Sequence, residues 1–316
     1  MTDQQQADLL HDEVEAGTTT GLASPSVDVT KERQNSLWSD AWGHLKRNPL
    51  FWIGAVLGLV FLLMAIVPQV FARGADPRAC NLSNSQQKPS AEHWFGFDQQ
   101  GCDYLANVVY GARNSLIIGL LAVLVILVLG LLVGAVTGFY GGLLDSLLSR
   151  LTDIFYAVPF ILGAIVVLRS GFLGRGVAAV AVALAIFGWM TAMRLVRSQV
   201  IAVKSSDYVA AARAMGASNG RILIRHILPN AVAPVLVYTT ITIGVLIAAE
   251  ATLTYLGVGL QRPAISWGLQ ISAGQSLLRT SPHLVLFPSI ILTLTVMAFI
   301  MMGDALRDAL DPRQRA

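Results

Sequence analysis

The chain has 316 residues and a mass of 33.8 kDa, with 54% apolar and only 13% charged residues, a net charge of +3 and a mean hydropathy of +0.62. Soluble proteins hold about 45–50% apolar and about 25% charged residues, so this composition excludes an ordinary cytosolic enzyme, a disordered regulator and a disulfide-rich secreted domain. It fits an all-α integral membrane protein with basic cytoplasmic loops, and its charges are too scattered to argue for nucleic-acid binding.

Residues 1–37 are rich in Gln, Thr, Ser, Asp and Glu and poor in large apolar side chains. They cannot bury enough surface to offset chain entropy and read as a disordered cytoplasmic tail ahead of a membrane domain over 38–316. No secretory cleavage signal is visible in them. A bilayer core of about 30 Å needs about 20 apolar residues in a helix. Six stretches answer that description: 49–72, 114–140, 149–168, 176–194, 231–250 and 284–303. The third is the weakest, because Asp153 opens it and Pro159 interrupts it. Counting it places 14 of the 22 Lys and Arg residues on the cytoplasmic side with both termini, in line with the positive-inside bias. The loop 73–108 is then extracytoplasmic.

Between the fourth and fifth spans, the cytoplasmic segment 199–230 contains SSDYVAAARAMGASNGRILIRHILPN. Ser205 or Ser206 is expected to cap a short helix built on Ala210, Ala211 and Ala212, which Gly216 ends in a left-handed conformation. Ser218 is expected to cap a second helix, which Pro229 stops. Small alanines beside the larger Tyr208, Arg213 and Met215 suit a docking surface, and the residues alone equally suit an amphipathic helix pair lying on the membrane. Arg194, Arg197, Lys204, Arg213, Arg221 and Arg225 concentrate positive charge around it.

The pattern Tyr208, Val209, Ala211, Ala212, Arg213, Gly216, with Leu228 and Pro229 beyond it, resembles the EAA motif of binding-protein-dependent ABC importer permeases. Ala210 stands where that motif has its acidic residue. Three further runs resemble the shorter permease subunit of the dipeptide, oligopeptide and nickel importers. These are HWFGFDQQGCDYLANVVYGARNSL before the second span, Glu250 to Gly259 with Ser266, Trp267 and Gly268 after the fifth, and Gly303, Asp304, Leu306, Arg307, Asp308, Asp311 and Pro312 at the end. The resemblance covers roughly residues 38–313. It implies the six-helix fold of type I ABC importer permeases and a coupling helix seated on separate ATPase subunits. It also implies a homologous second permease subunit, two ATPase subunits or one fused chain, an extracytoplasmic solute-binding protein, and a dipeptide or short oligopeptide cargo in the cytoplasmic membrane. Nickel chelates, haem and glutathione are the alternative cargoes within the family.

No catalytic motif is visible. The phosphate loop GxxxxGK[ST] is absent, as are HExxH, CxxC and GxSxG, so ATP and magnesium are expected in partner subunits and no cofactor or metal in this chain. A secondary transporter or channel is the reading from a different class, disfavoured by the lack of an internal repeat. Glu250 and Asp153, at span ends, are candidates for the translocation pathway or gate, or else for structural anchors. Cys80 and Cys102 share the external loop, where a disulfide would stabilise it by about 3 kcal/mol, the alternative being two free thiols.

Overall fold

The computed structural model describes residues 37–310. The expected disordered tail therefore lies outside the described residues except for Leu37, as do Asp311 and Pro312 of the terminal motif. The described chain is mainly helical: α1 (Leu37–Leu45), α2 (Pro49–Ile66), α3 (Tyr104–Tyr140), α4 (Gly142–Tyr156), α5 (Phe160–Arg169), α6 (Val177–Lys204), α7 (Asp207–Ala214), α8 (Ala233–Tyr255), α9 (Trp267–Gly274) and α10 (His283–Leu310), with a long loop over 67–103 and shorter connections elsewhere.

Five of these (α2, α3, α6, α8 and α10) are long and apolar enough to cross a membrane. The sixth expected span is a broken one. α4 and α5 meet at 85°, because Pro159 has no N–H to continue the ladder and disfavours helical backbone in the residue before it. Packing decides whether the pair counts as a crossing. Ala41 and Leu45 of α1 are buried against Ala305 and Ala309 at the far end of α10. The two ends of the described chain therefore lie on the same side, which needs an even number of crossings, and the bent pair supplies the sixth.

Several helices outrun their expected spans because polar groups are satisfied locally. α3 starts at Tyr104 rather than near 114, where Asp103 Oδ1 accepts the Ala106 N–H at 2.9 Å and caps the first turn. α6 continues to Lys204, well past residue 194. Its two arginines are paired with the neighbouring helix: Arg197 makes a bidentate pair with Asp145 of α4 (2.5 and 2.6 Å), and Arg194 meets Asp153 at 2.5 Å.

The tightest seam joins α3 to α6. Gly130, Gly134 and Gly138 recur every fourth residue, so they share one face of α3. A methyl group on Gly130 would stand 2.6 Å from Ala192 Cβ, one on Gly134 2.5 Å from the Met193 carbonyl oxygen, and one on Gly138 2.8 Å from the Arg197 carbonyl oxygen. In a membrane, where apolar burial does not drive helices together, such small-residue stripes allow the backbone approach that does. At the end of this seam, Gly141 and Gly142 both adopt positive φ (67° and 66°) to turn the chain into α4.

Candidate coupling surface

The end of the α3–α6 seam carries the segment 199–230. Lys204 donates to the Phe139 carbonyl, capping the exposed end of α3 from the last residue of α6. One turn later α7 begins. Its inner face is set by Val209 and Ala212, three residues apart and both buried; Val209 packs in a cluster with Val196 and Val200 of α6, Ile222, Ile227 and Val235. Its outer face shows Tyr208, Ala210, Ala211 and Arg213, followed by Met215, which is 82% exposed. Gly216 (φ 82°) ends the helix as expected, with Ala217 N–H returning to the Ala212 carbonyl and Gly216 N–H to that of Arg213.

Three details of the expected segment differ. Ser206 and Ser218 occupy N-cap positions in extended backbone, but neither side chain makes a capping hydrogen bond. Ala212 belongs to the inner face, so the outward alanines are Ala210 and Ala211 only. Pro229 does not stop the second helix. A π-helical turn over Ile222–Ile227 precedes it, Leu228 N–H reaches back to the Leu223 carbonyl, and Pro229 sits in the first turn of Leu228–Ala231, where its missing N–H costs nothing. The chain then continues into α8 with only a break at Val232, so α7 is bracketed by two membrane-crossing helices.

Beside α7, a concavity of about 440 Å³ is lined by Met215, Gly216, Arg221, Arg225 and His226. Arg213, Arg221 and Arg225 form no ion pair among the described residues. The surface is thus cationic, with a protruding methionine and tyrosine and a low alanine floor.

The other singled-out residues lie elsewhere. Glu250 is 0% exposed; its carboxylate accepts from Ser115 of α3 (3.1 Å) and from Thr254 (2.9 Å). Thr254 Oγ1 in turn accepts the Leu260 N–H at 3.1 Å. These bonds tie α3, α8 and the loop leading to α9 together. Asp153 keeps a side chain 53% exposed and pairs with Arg194, whose guanidinium also lies over Tyr156 at 4.3 Å. Together with Asp145–Arg197 it fastens the bent α4 to α6. Cys80 and Cys102 are joined in a disulfide, so the loop between α2 and α3 is closed and the free-thiol alternative falls away.

The comparisons agree with this architecture. The profile of the family described as binding-protein-dependent transport system inner membrane component matches residues 126–316, and one described as the N-terminal TM domain of oligopeptide transport permease C matches residues 36–89. The oligopeptide transport system permease protein OppC of Bacillus subtilis is 39% identical over 289 residues, 92% of this chain and 94% of that protein. The dipeptide transport system permease protein DppC of Alkalihalophilus pseudofirmus is 41% identical over 281 residues (89% and 91%). The glutathione transport system permease protein GsiD of Escherichia coli is 37% identical over 289 residues (90% and 93%).

The chain belongs to the binding-protein-dependent transport permeases.

It is a multi-pass membrane permease component. The reading of the residues located the short helix α7 but passed over two features that position it. The glycine stripe is legible as GxxxGxxxG from Gly130 to Gly138 and could have been found by that spacing. The Asp145–Arg197 pair carries no such signal, since its members stand 52 residues apart and meet only because α4 doubles back along α6.

Proposed function

We propose that this permease is one of two transmembrane subunits of an ATP-driven importer of dipeptides or short oligopeptides, and that the outer face of α7 docks on an ATPase subunit. The observation that carries the cargo is the match, over 89–92% of the chain, to permeases named for oligopeptide and dipeptide transport. The docking assignment rests on α7 itself. It is short, packed through Val209 into the cluster that holds Val196 and Val200 of α6, joined to α8 through residues 215–232, and it exposes Tyr208, Ala210, Ala211 and Arg213 near Arg221 and Arg225. A push on such a helix is transmitted to two membrane-crossing helices at once, which is what biasing a two-state gate requires. ATP and magnesium belong to the partner chains. A second permease, an extracytoplasmic binding protein and cytoplasmic termini complete the reading, the last supported by the concentration of Arg and Lys around α7.

Glutathione is a second reading with its own support, the 37% identity to a glutathione permease. The deciding experiment is ATP hydrolysis by the purified assembly in lipid with its binding protein, titrated with dipeptides, longer peptides and glutathione. Stimulation by di- or oligopeptides supports the main reading, stimulation by glutathione alone replaces the cargo, and a chain that brings down no ATPase refutes the importer assignment.

A further inference from the structure

On the side opposite α7, a cavity of about 340 Å³ opens between the disulfide-closed loop and the segment leading into α9. Its volume is at the small end of ligand pockets, which run to roughly 300–1,000 Å³. The inner wall is buried and mainly apolar, with Pro77, Tyr104 and Leu284. Arg78 and Arg262 stand at the exposed rim.

The polar groups of this cavity are incompletely matched. Asp98 Oδ1 accepts two backbone N–H groups, from Gln100 and Cys102 at 2.9 Å each, but Oδ2 has only a 3.4 Å contact with Asn107 Nδ2. Burial pushes the Asp98 carboxyl up from its ordinary value, and the backbone N–H groups and the charge of Arg262 only partly oppose this. Neither Asp98, Arg78 nor Arg262 forms an ion pair among the described residues. Gln270, more than nine-tenths buried in the wall, donates to the Asn107 carbonyl at 2.7 Å while its Oε1 has no partner. A half-buried carboxylate oxygen with one long contact and a buried amide oxygen without a donor, lining the same small apolar-walled space as two guanidinium groups outside any ion pair, call for a molecule that is cationic at one end and anionic at the other.

We propose that this cavity binds a short zwitterionic peptide on the extracytoplasmic side of the permease, its ammonium group on Asp98 and its carboxylate on Arg262, with Gln270 accepting from a peptide N–H. The proposal rests on the peptide-import reading for the identity of the ligand, and adds a site on the permease itself. The disulfide forms part of the site, since both Cys80 and Cys102 line it and their bond fixes the wall that carries Asp98.

The test uses the complete permease–ATPase assembly in lipid nanodiscs without the binding protein, with the dipeptide Ala-Ala, its N-acetylated form and its C-terminal amide as calorimetric probes. Wild type is expected to bind Ala-Ala saturably and each blocked form at least fivefold more weakly. Arg262→Gln, at the exposed rim and harmless to packing, is expected to lose discrimination against the amide while keeping it against the acetylated form. Asp98→Asn is expected to do the reverse. Absence of saturable binding overturns the proposal, as does an Arg262→Gln assembly that discriminates as wild type does, or one whose only defect is weaker docking of the binding protein. Uptake of Ala-Ala by the wild-type assembly with its binding protein is measured in parallel. Uptake without cavity binding overturns this site and leaves peptide import standing, whereas no uptake of any peptide refutes the import reading itself.

Discussion

Replacing Gly134 with alanine adds one methyl group where the structure leaves no room for it. That methyl would stand 2.5 Å from the Met193 carbonyl oxygen and 2.8 Å from Val196 Cβ, whereas ordinary contacts begin near 3.4 Å, so α3 and α6 must part by up to about 0.9 Å. A gap of about 0.5–1 Å forfeits roughly a quarter to a half of the dispersion attraction across it, and overpacking of this kind costs about 1–3 kcal/mol. Alanine also favours helix over glycine by about 1 kcal/mol, so the proper control is Gly43→Ala, at an exposed position of α1 with nothing within 4 Å. The control is expected to be neutral or slightly stabilised. The Gly134 variant should lie about 1–3 kcal/mol below it, a difference of several degrees in the unfolding midpoint of the lipid-embedded assembly. Because α6 leads directly into α7, coupled uptake should fall in the same variant. Equal midpoints for the two variants would refute the glycine seam as the contact that holds α3 against α6.

Four further outcomes follow from named contacts. Ala211→Glu, on the outer face of α7, should leave folding within about 0.5 kcal/mol while preventing co-purification of the ATPase subunits; Val209→Glu should instead fail to accumulate, because it buries an unpaired charge in an apolar cluster. Glu250→Ala leaves Ser115 and Thr254 without their buried acceptor and should destabilise by about 1–3 kcal/mol, whereas Glu250→Gln keeps one acceptor oxygen and should cost less; normal thermal stability with abolished uptake in both would assign Glu250 to the pathway after all. Reduction of Cys80–Cys102 should lower the stability of the external loop by about 3 kcal/mol, read as protease cleavage within 81–101 that appears only with reductant, and identical digestion patterns would contradict it. Asp98 has its carboxyl raised by burial, so the folded chain holds this proton at pH values where the unfolded chain has released it. Stability should therefore fall as pH rises from the ordinary carboxylate value through the raised one, and Asp98→Asn should flatten that slope in a pH series of thermal unfolding.

What the sequence determined by itself was the environment, the rough placement of the long apolar helices and the short helix that Gly216 ends. Each depends on short-range information: runs of apolar residues long enough for a bilayer, the alanine-rich helix former ended by Gly216, the motif residues around Tyr208. A charge near a span end was a poor guide to its boundary, because Arg194 and Arg197 remain helical through partners on α4 that are distant in sequence. Only the tertiary structure decided that the weak third span is a helix pair bent at Pro159 and still counts as a crossing, since that follows from α1 meeting the far end of α10. Only it separated the outward Ala210 and Ala211 from the inward Ala212, sealed Glu250 between Ser115 and Thr254, and gathered Asp98, Arg262 and Gln270 around one cavity. The physical reason is common to all four. Burial and the pairing of polar groups are set by which helices meet, and residues 98, 262 and 270 share a wall only after α3, α9 and the closed loop have packed together.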